Sequence, residues 1–463
     1  MGKPQNKLTK IMILILISFG TLLIMYLAMS IYFTNHFYFG SSINCINTSG
    51  KTVEDIDKQM GSELTTYTLL LEGEGAVKEE IKGSDINLKY NYNSHDKIEK
   101  LKHSQNPFGW IYGLFNKTEF QLSNIASYDK ELLKKCVDNL SYFNSSNIIE
   151  PKNPSFKYTA DGYKIVEEVE GTKVNKDILY GHIVDAITNG ENTINLKVID
   201  CYEKPRYTSN SKEIIAVKNL LDKYTSIKVT YIFGQRKEFL DGTIINTWLN
   251  VDENLKVTFD EIKVKNYIDT LAKTYDSLGS TRNFITSSGK TVKVSGGDYG
   301  WSINKSKEVQ DIIAAIKNGK SITKKPIYNQ TALSRGINDI GNTYVEINLS
   351  KQYLWFYKNG SLIVEGSVVT GNVRNNHSTP AGTYKLDYKQ KDTVLRGANY
   401  ASPVSYWMPF NGGIGIHDAT WRAAFGGNIY LTNGSHGCIN APYHLAKAIF
   451  YNIEAGTPVI CYY

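Results

Sequence analysis

The sequence predicts a multidomain chain: an N-terminal transmembrane helix, repeated α+β modules, and a C-terminal, mainly β sandwich or barrel with one helix. Three observations predict it. An uncharged apolar run fills residues 11–33, a helical segment in the middle of the chain recurs, and short alternating runs crowd the stretch beyond 342. At 463 residues the chain exceeds one ordinary hydrophobic core, so several domains are expected. Charged residues at 21% and normal apolar content exclude wholesale disorder.

The apolar run Ile11 to Phe33 is long enough, at about 1.5 Å per residue, to cross a hydrocarbon layer of about 30 Å. Lys3, Lys7 and Lys10 precede it, and no acidic residue lies in the first forty positions. The expectation is a cytoplasmic tail over 1–10 and a single anchor over 11–33, with everything after it outside the cytoplasm. A cleaved leader would have a shorter apolar run followed by small residues; here Tyr32-Phe33-Thr34-Asn35-His36-Phe37 follows. The formal charge of +7 is spread thinly once those lysines are set aside, and no Lys/Arg cluster points to nucleic acid. Five cysteines (Cys45, Cys136, Cys201, Cys438 and Cys461) are widely spaced with no Cys-x-x-Cys, suggesting neither a disulfide framework nor a zinc knuckle.

Residues 42–127 read as a small α+β module, with an amphipathic stretch at Val53–Met60 and alternating runs at Tyr67–Leu71 and Ile86–Tyr90. A repeat follows. DILYGHIVDAITNG, Asp177 to Gly190, parallels SKEVQDIIAAIKNG, Ser306 to Gly319. Ile183, Ala186 and Ile187 match Ile312, Ala315 and Ile316 at helical spacing, and both copies end in Asn-Gly, a helix stop. Strand-like stretches at Gly162–Glu167 and Thr291–Val294 precede the two helices. The reading is a first repeat module plus strand-rich connector over 128–256 and a second repeat module over 257–328. Asp241-Gly242 is the expected hairpin turn of the connector. Gly336, Asn338, Gly341 and Asn342 mark 329–341 as a linker. These modules resemble the peptidoglycan-binding modules that precede L,D-transpeptidase domains in Gram-positive surface proteins.

From 342 to 463 the pattern is β. Tyr344–Leu349 alternates, Tyr353–Tyr357 follows, and Lys358-Asn359-Gly360 turns into Leu362-Ile363-Val364. The chemistry gathers at Ser435-His436-Gly437-Cys438-Ile439-Asn440, with His417 upstream at the end of Ile414-Gly415-Ile416. A cysteine becomes a nucleophile when its thiolate is accessible and stabilised by a positive group or a helix start. Asn440 as N-cap and Pro442 in the first turn would put such a start just after Cys438, with Leu445, Ala448, Ile449 and Ile453 on one face. Gly437 would let backbone N–H groups approach an oxyanion. A Cys–His pair needs a base and a group orienting it. Asp418, by side chain or carbonyl, is placed to orient His417, but position alone leaves His417 and His436 open as the base. A metal site of His417, His436 and Cys438 would lack a fourth ligand, so no metal and no cofactor are expected.

The signature resembles that of the L,D-transpeptidase (YkuD-like) catalytic domain, in which a histidine is followed by Ser/Thr-His-Gly-Cys, one residue, and Asn or Arg. Gly371 with Thr379-Pro380-Ala381-Gly382, and Leu354–Gly360, match two further features of that family. The resemblance implies Cys438 as nucleophile, His417 as proton acceptor and donor, Asp418 orienting it, His436 in support and Gly437 in the oxyanion hole. Ser435 and Asn440 are the expected substrate-binding residues. It implies attack on a peptidoglycan tetrapeptide stem, release of D-alanine, a thioester, and a 3→3 cross-link to a second stem. Carbapenem-type β-lactams are expected to acylate the same cysteine. With water as acceptor the site would be an L,D-carboxypeptidase; a silent wall-binding protein is the remaining alternative.

Overall fold

The computed structural model describes residues 5–74, 77–122, 125–143, 146, 148–336, 338–397 and 400–463. Lys3, one of the anchor-flanking lysines, lies outside them. The chain divides into two compact units, Met1–Ser155 with Ile165–Ser211, and Phe156–Lys164 with Lys212–Tyr463.

In the first unit, helix α1 (Gln5–Asn35) carries the apolar run, its side chains mostly exposed. Its end is not loose. Phe33 is wholly buried, its carbonyl accepts from Lys102 Nζ at 2.7 Å, and Tyr26 donates to the Phe108 carbonyl at 2.7 Å. The expected amphipathic stretch is a helix over Val53–Thr65, opened by a Thr52/Asp55 capping box. Beyond it, β1 (Thr68–Glu72) and β2 (Lys78–Lys82) form a hairpin. Helices α2 (Lys130–Asp138) and α3 (Lys176–Asn189) follow, and β3 (Thr193–Asn195) joins β1 in parallel. Leu69, Leu71 and Ile81 share one core with Leu133, Leu179 and Ile183. The boundary expected at 127/128 therefore cuts through a hydrophobic core, because the hairpin and the repeat helix cover each other's apolar faces.

The second unit repeats this plan. Helix α4 (Lys212–Thr225) precedes the hairpin of β4 (Val229–Phe233) and β5 (Arg236–Leu240). Helix α5 (Glu261–Tyr275), the hairpin β6 (Arg282–Ile285) with β7 (Thr291–Val294), and helix α6 (Lys305–Asn318) come next. Strand β8 (Ile322–Lys324) then pairs with β4 in parallel, as β3 does with β1. The two repeat helices have the same ends: Asn175 and Asn304 cap their first turns, and Gly190 and Gly319 close them. Val229, Tyr231 and Leu240 share a core with Val264, Ile268, Ile312 and Ile316. The expected connector is thus the front half of the second module. Asp241-Gly242 is not the hairpin turn; that turn is Gly234-Gln235, between the paired Phe233 and Arg236, and the Asp241 carboxylate accepts from Thr243 N–H to open a short helix, Gly242–Ile245.

The expected linker is also packed. Tyr328–Gln330 pairs with Ser302–Ile303, Ile340 is buried, and Asp339 makes a two-point ion pair with Arg282 (2.6 and 2.9 Å). Glycines and asparagines alone read as loose chain, but a buried carboxylate needs this cation, and the pair fixes the segment.

The C-terminal region is the expected sandwich. One sheet has five strands: β9 (Tyr344–Asn348), β10 (Tyr353–Lys358), β11 (Ser361–Ser367), β12 (Gly382–Lys385) and the last strand, Pro458–Tyr462, in the order β11-β10-β9-last-β12. The other has four, in sequence order: β13 (Gln390–Gly397), β14 (Tyr400–Asn411), β15 (Ile414–Asp418) and β16 (Ile439–Ala441). Val345, Leu354 and Phe356 meet Met408, Phe410 and Ile416 between them. Helix α7 (Tyr443–Asn452) buries Leu445, Ala446 and Ile449 against the same core, while Ala448 is only partly covered. A short helix, Ile429–Asn433, lies in the loop between His417 and Cys438.

Candidate active site

Strand β15 sits between β14 and β16, so His417 pairs with Trp407 on one side and Asn440 on the other. Cys438 immediately precedes β16. The parallel pairing of β15 with β16 brings two residues far apart in sequence to one sheet end, and both line a cleft of about 190 Å³. Arg422, Trp421 and Asn440 line it too, and the β13–β14 hairpin adds Leu395 and Ser402.

His417 is buried, and its Nδ1 lies 2.9 Å from the carbonyl oxygen of Asp418. A carbonyl only accepts, so Nδ1 carries the proton and Nε2 keeps its lone pair. The Asp418 carboxylate is occupied elsewhere, accepting from the N–H groups of Ser405 and Tyr406 at 2.9 and 2.8 Å. Of the two ways Asp418 was expected to orient His417, the geometry contains the carbonyl. The Trp421 ring stacks on His417 at 5.9 Å and limits its rotation. Burial holds the imidazole below its ordinary pKa, chiefly by desolvation, so it is neutral at neutral pH. His436 differs: it is exposed, and its ring lies 4.9 Å from that of His377.

The Cys438 loop is splinted from both sides. Ser435 Oγ accepts from Gly437 N–H at 3.1 Å and donates to the Cys438 carbonyl at 2.6 Å. Thr379 Oγ1 accepts from Gly371 N–H at 3.0 Å and donates to the Gly437 carbonyl at 2.6 Å. Backbone bonds link Thr370 with Ser435, Asn372 with Ser435, and Val369 with Asn440. Gly371 has to be glycine: a Cβ there would sit 1.9 Å from the His377 carbonyl oxygen. Gly437 adopts a φ of +119°, which side chains rarely take.

Four expectations change here. Asn440 is not an N-cap; it lies inside β16, and α7 starts only at Tyr443 with Pro442 before it. The helix dipole therefore does not begin at Cys438. Nor is the thiol's pKa lowered: burial raises it, and the N–H of Gly415 only partly offsets this. The Gly437 N–H, expected at an oxyanion, is already given to Ser435, whereas the Cys438 N–H has no partner among the described residues. Ser435 lines the cleft and is buried, and its hydroxyl, committed on both sides, braces the Cys438 loop. Asn440 is buried with its Oδ1 unpartnered.

Sequence reasoning passed over Trp421, Arg422 and His377, and saw Thr379 only as part of a motif. Trp421 and Arg422 follow His417 closely, but nothing in that spacing says the chain folds back to the cleft. Among the described residues, no three His, Cys, Asp or Glu are grouped to hold a metal ion.

The Cys438 thiol donates to the Gly413 carbonyl at 3.5 Å, and a cysteine sharing a cleft with a neutral, oriented imidazole is the equipment of covalent acyl transfer. The comparisons define the class. The model of the L,D-transpeptidase catalytic domain (YkuD) matches residues 342–461, and the family described as "Putative peptidoglycan binding domain" matches 79–195 and 207–324. Each of the latter ranges runs across a module boundary expected from the sequence. The chain belongs to the L,D-transpeptidase family of peptidoglycan cross-linking enzymes, its catalytic domain preceded by two such modules. It is similar to the Enterococcus faecium L,D-transpeptidase, whose mutant crystal structure is 33% identical, with 54% of this chain and 100% of that chain covered and a TM-score of 0.46. The Ldtfm–avibactam carbamoyl enzyme is 34% identical over 54% of this chain and 98% of that one, with a TM-score of 0.45. The E. faecium catalytic domain acylated by ertapenem is 41% identical over 26% of this chain and 98% of that one, with a TM-score of 0.25. No curated protein matches this chain.

Proposed function

We propose that this protein is a membrane-anchored L,D-transpeptidase that makes 3→3 cross-links from tetrapeptide stems outside the cytoplasmic membrane. The observation that carries the reading is the shared cleft of Cys438 and His417, with the imidazole tautomer fixed by the Asp418 carbonyl. Cys438 Sγ attacks the carbonyl of the stem's third residue while its proton passes to His417 Nε2. Both groups are neutral at rest, so His417 has its Nε2 lone pair free to take that proton. The Cys438 N–H faces the developing oxyanion. When the tetrahedral adduct collapses, the C–N bond to D-alanine breaks and His417 returns the proton to the departing amine. The thioester is then attacked by a side-chain amine of a second stem, His417 takes that amine's proton, and the thiolate leaves and is reprotonated.

The anchor reading rests on α1, whose span Lys7–Asn35 is apolar enough to cross a membrane. Its end is built into the first unit through Phe33, Lys102, Tyr26 and Phe108, contacts a removable leader would not need. The two modules would then hold the enzyme against its polymer. Mass spectrometry of muropeptides incubated with the exported part, with and without an amine acceptor, tests the reading. Dimers linked between third residues are expected. Trimmed monomers alone, with acceptor present, would make it an L,D-carboxypeptidase, and unchanged stems would overturn the activity.

A further inference from the structure

Residues 106–116 of the first unit, Asn-Pro-Phe-Gly-Trp-Ile-Tyr-Gly-Leu-Phe-Asn, carry no charge. They form a tight helical turn, Pro107–Gly109, that runs into a short helix, Trp110–Phe115. One side of this segment is seated on α1 and on the chain leaving it. Trp110 stacks on Phe33 at 6.0 Å and meets the Tyr26 ring at 6.1 Å, while Tyr26 donates to the Phe108 carbonyl. Gly113 is buried, and a Cβ there would come within 2.7 Å of the Tyr38 Cβ. The other side is bare. Phe108, Ile111, Tyr112, Leu114 and Phe115 are all exposed, Phe115 at 82%. Monomeric proteins in water rarely leave so many large apolar side chains together on the surface.

What covers them follows from where the segment sits on α1. Counted from Lys10, a hydrocarbon layer of about 30 Å takes up about 20 residues of helix and so ends near Ser30. Tyr26, four residues short of that, lies about 6 Å inside the layer's outer face. The segment bonded to it is therefore level with the boundary of the outer leaflet. Polar backbone at that depth needs internal partners, and both ends of the segment have them. Asn106 Oδ1 accepts from Phe108 N–H at 3.1 Å, and Asn116 Nδ2 donates to the Tyr112 carbonyl at 3.0 Å. Tryptophan and tyrosine settle at this boundary, and Lys117, exposed just beyond, suits anionic headgroups.

We propose that residues 106–116 are a second membrane contact, an interfacial segment that buries Phe108, Ile111, Tyr112, Leu114 and Phe115 in the outer leaflet beside the anchor. This rests on the anchor reading above. With α1 across the layer and this segment in its surface, the first unit holds one tilt and one rotation, whereas a lone helix would turn freely about its axis.

The test is tryptophan fluorescence of the full chain in vesicles of phosphatidylcholine and phosphatidylglycerol, with and without bromine on the acyl chains. Helix α1 has no tryptophan, and Phe115→Trp adds one at an exposed position of the segment. The added emission, taken as the difference from wild type, is expected at short wavelength, lost in brominated vesicles and resistant to iodide. Trp110, on the inner side, gives a second reading that leaves the patch intact: quenching of wild-type emission by brominated lipid should be largely absent from Trp110→Phe. Added emission that iodide quenches and bromine spares would overturn the proposal. Shielding from both quenchers would place another protein surface on the patch and overturn it too. A chain stripped from the vesicles by alkali would overturn the anchor reading, and the proposal with it.

Discussion

Cys438 and His417 are both buried enough to favour their neutral forms, and this sets the pH behaviour of the site. His417 serves as a base only when neutral. Its pKa is depressed below the ordinary 6.5, so the acid limb of acylation should be centred below that value. An acid limb centred above 6.5 in kcat/KM would show that a different group is the base. His417→Ala should slow acylation by about two to four orders of magnitude, the usual scale of a lost general base, and His436→Ala by less. Rapid-quench acylation rates measure both. Cys438→Ala should abolish covalent labelling by a carbapenem, read as a missing mass adduct; labelling retained there would move the nucleophile elsewhere.

At the scale of elements, the site is a loop pinned to a sheet. Strand β15 carries His417, the start of β16 places Cys438, and the segment from Val369 to Thr379 clamps the turn between Ser435 and Asn440. Thr379→Val removes both a donor to the Gly437 carbonyl and an acceptor for Gly371 N–H. Leaving two buried backbone groups unpaired should cost about 1–3 kcal/mol each at most, measured by urea unfolding. The acylation rate should fall by more than a simple loss of stability explains, because small displacements of a nucleophile cost rate steeply. A stable variant with a wild-type rate would mean the clamp does not position Cys438.

At the scale of the whole molecule, the second module and the catalytic sandwich share structure. Tyr299 N–H donates to the Thr383 carbonyl and Thr383 N–H to Gly296, so residues 296–299 line the edge of β12. Phe284, Val294 and Tyr299 form a core with Ile460 and Tyr462 of the last strand. Asp339→Ala would leave Arg282 buried without its counter-charge, at a cost of about 3–5 kcal/mol. A loss of that size should appear in thermal unfolding as joint melting of module and sandwich at a lower temperature. An unchanged midpoint would show the ion pair to be dispensable. The full chain should also remain with membranes under alkaline extraction, whereas release as a shortened product would show that α1 is a cleaved leader.

Much of this was legible in the chain itself. Apolar length marked α1, helical periodicity marked α3 and α6 down to their closing Asn-Gly, and the Ser-His-Gly-Cys run with its distant histidine marked the chemistry. These are local signals, set by spacing along one segment. What the tertiary structure decided was everything that depends on pairing across the chain. The hairpins β1–β2 and β4–β5 join cores completed by strands far along the chain, Leu70 pairing with Thr193 and Val229 with Ile322, which no window of sequence reveals. The Gly437 N–H and the Ser435 hydroxyl are spent on each other, and Arg422 returns to the cleft with no ion-pair partner among the described residues, because folding assigns hydrogen-bond partners by proximity in space. Sequence names the groups able to react; only the packed sandwich determines which of them are left with something still to bind.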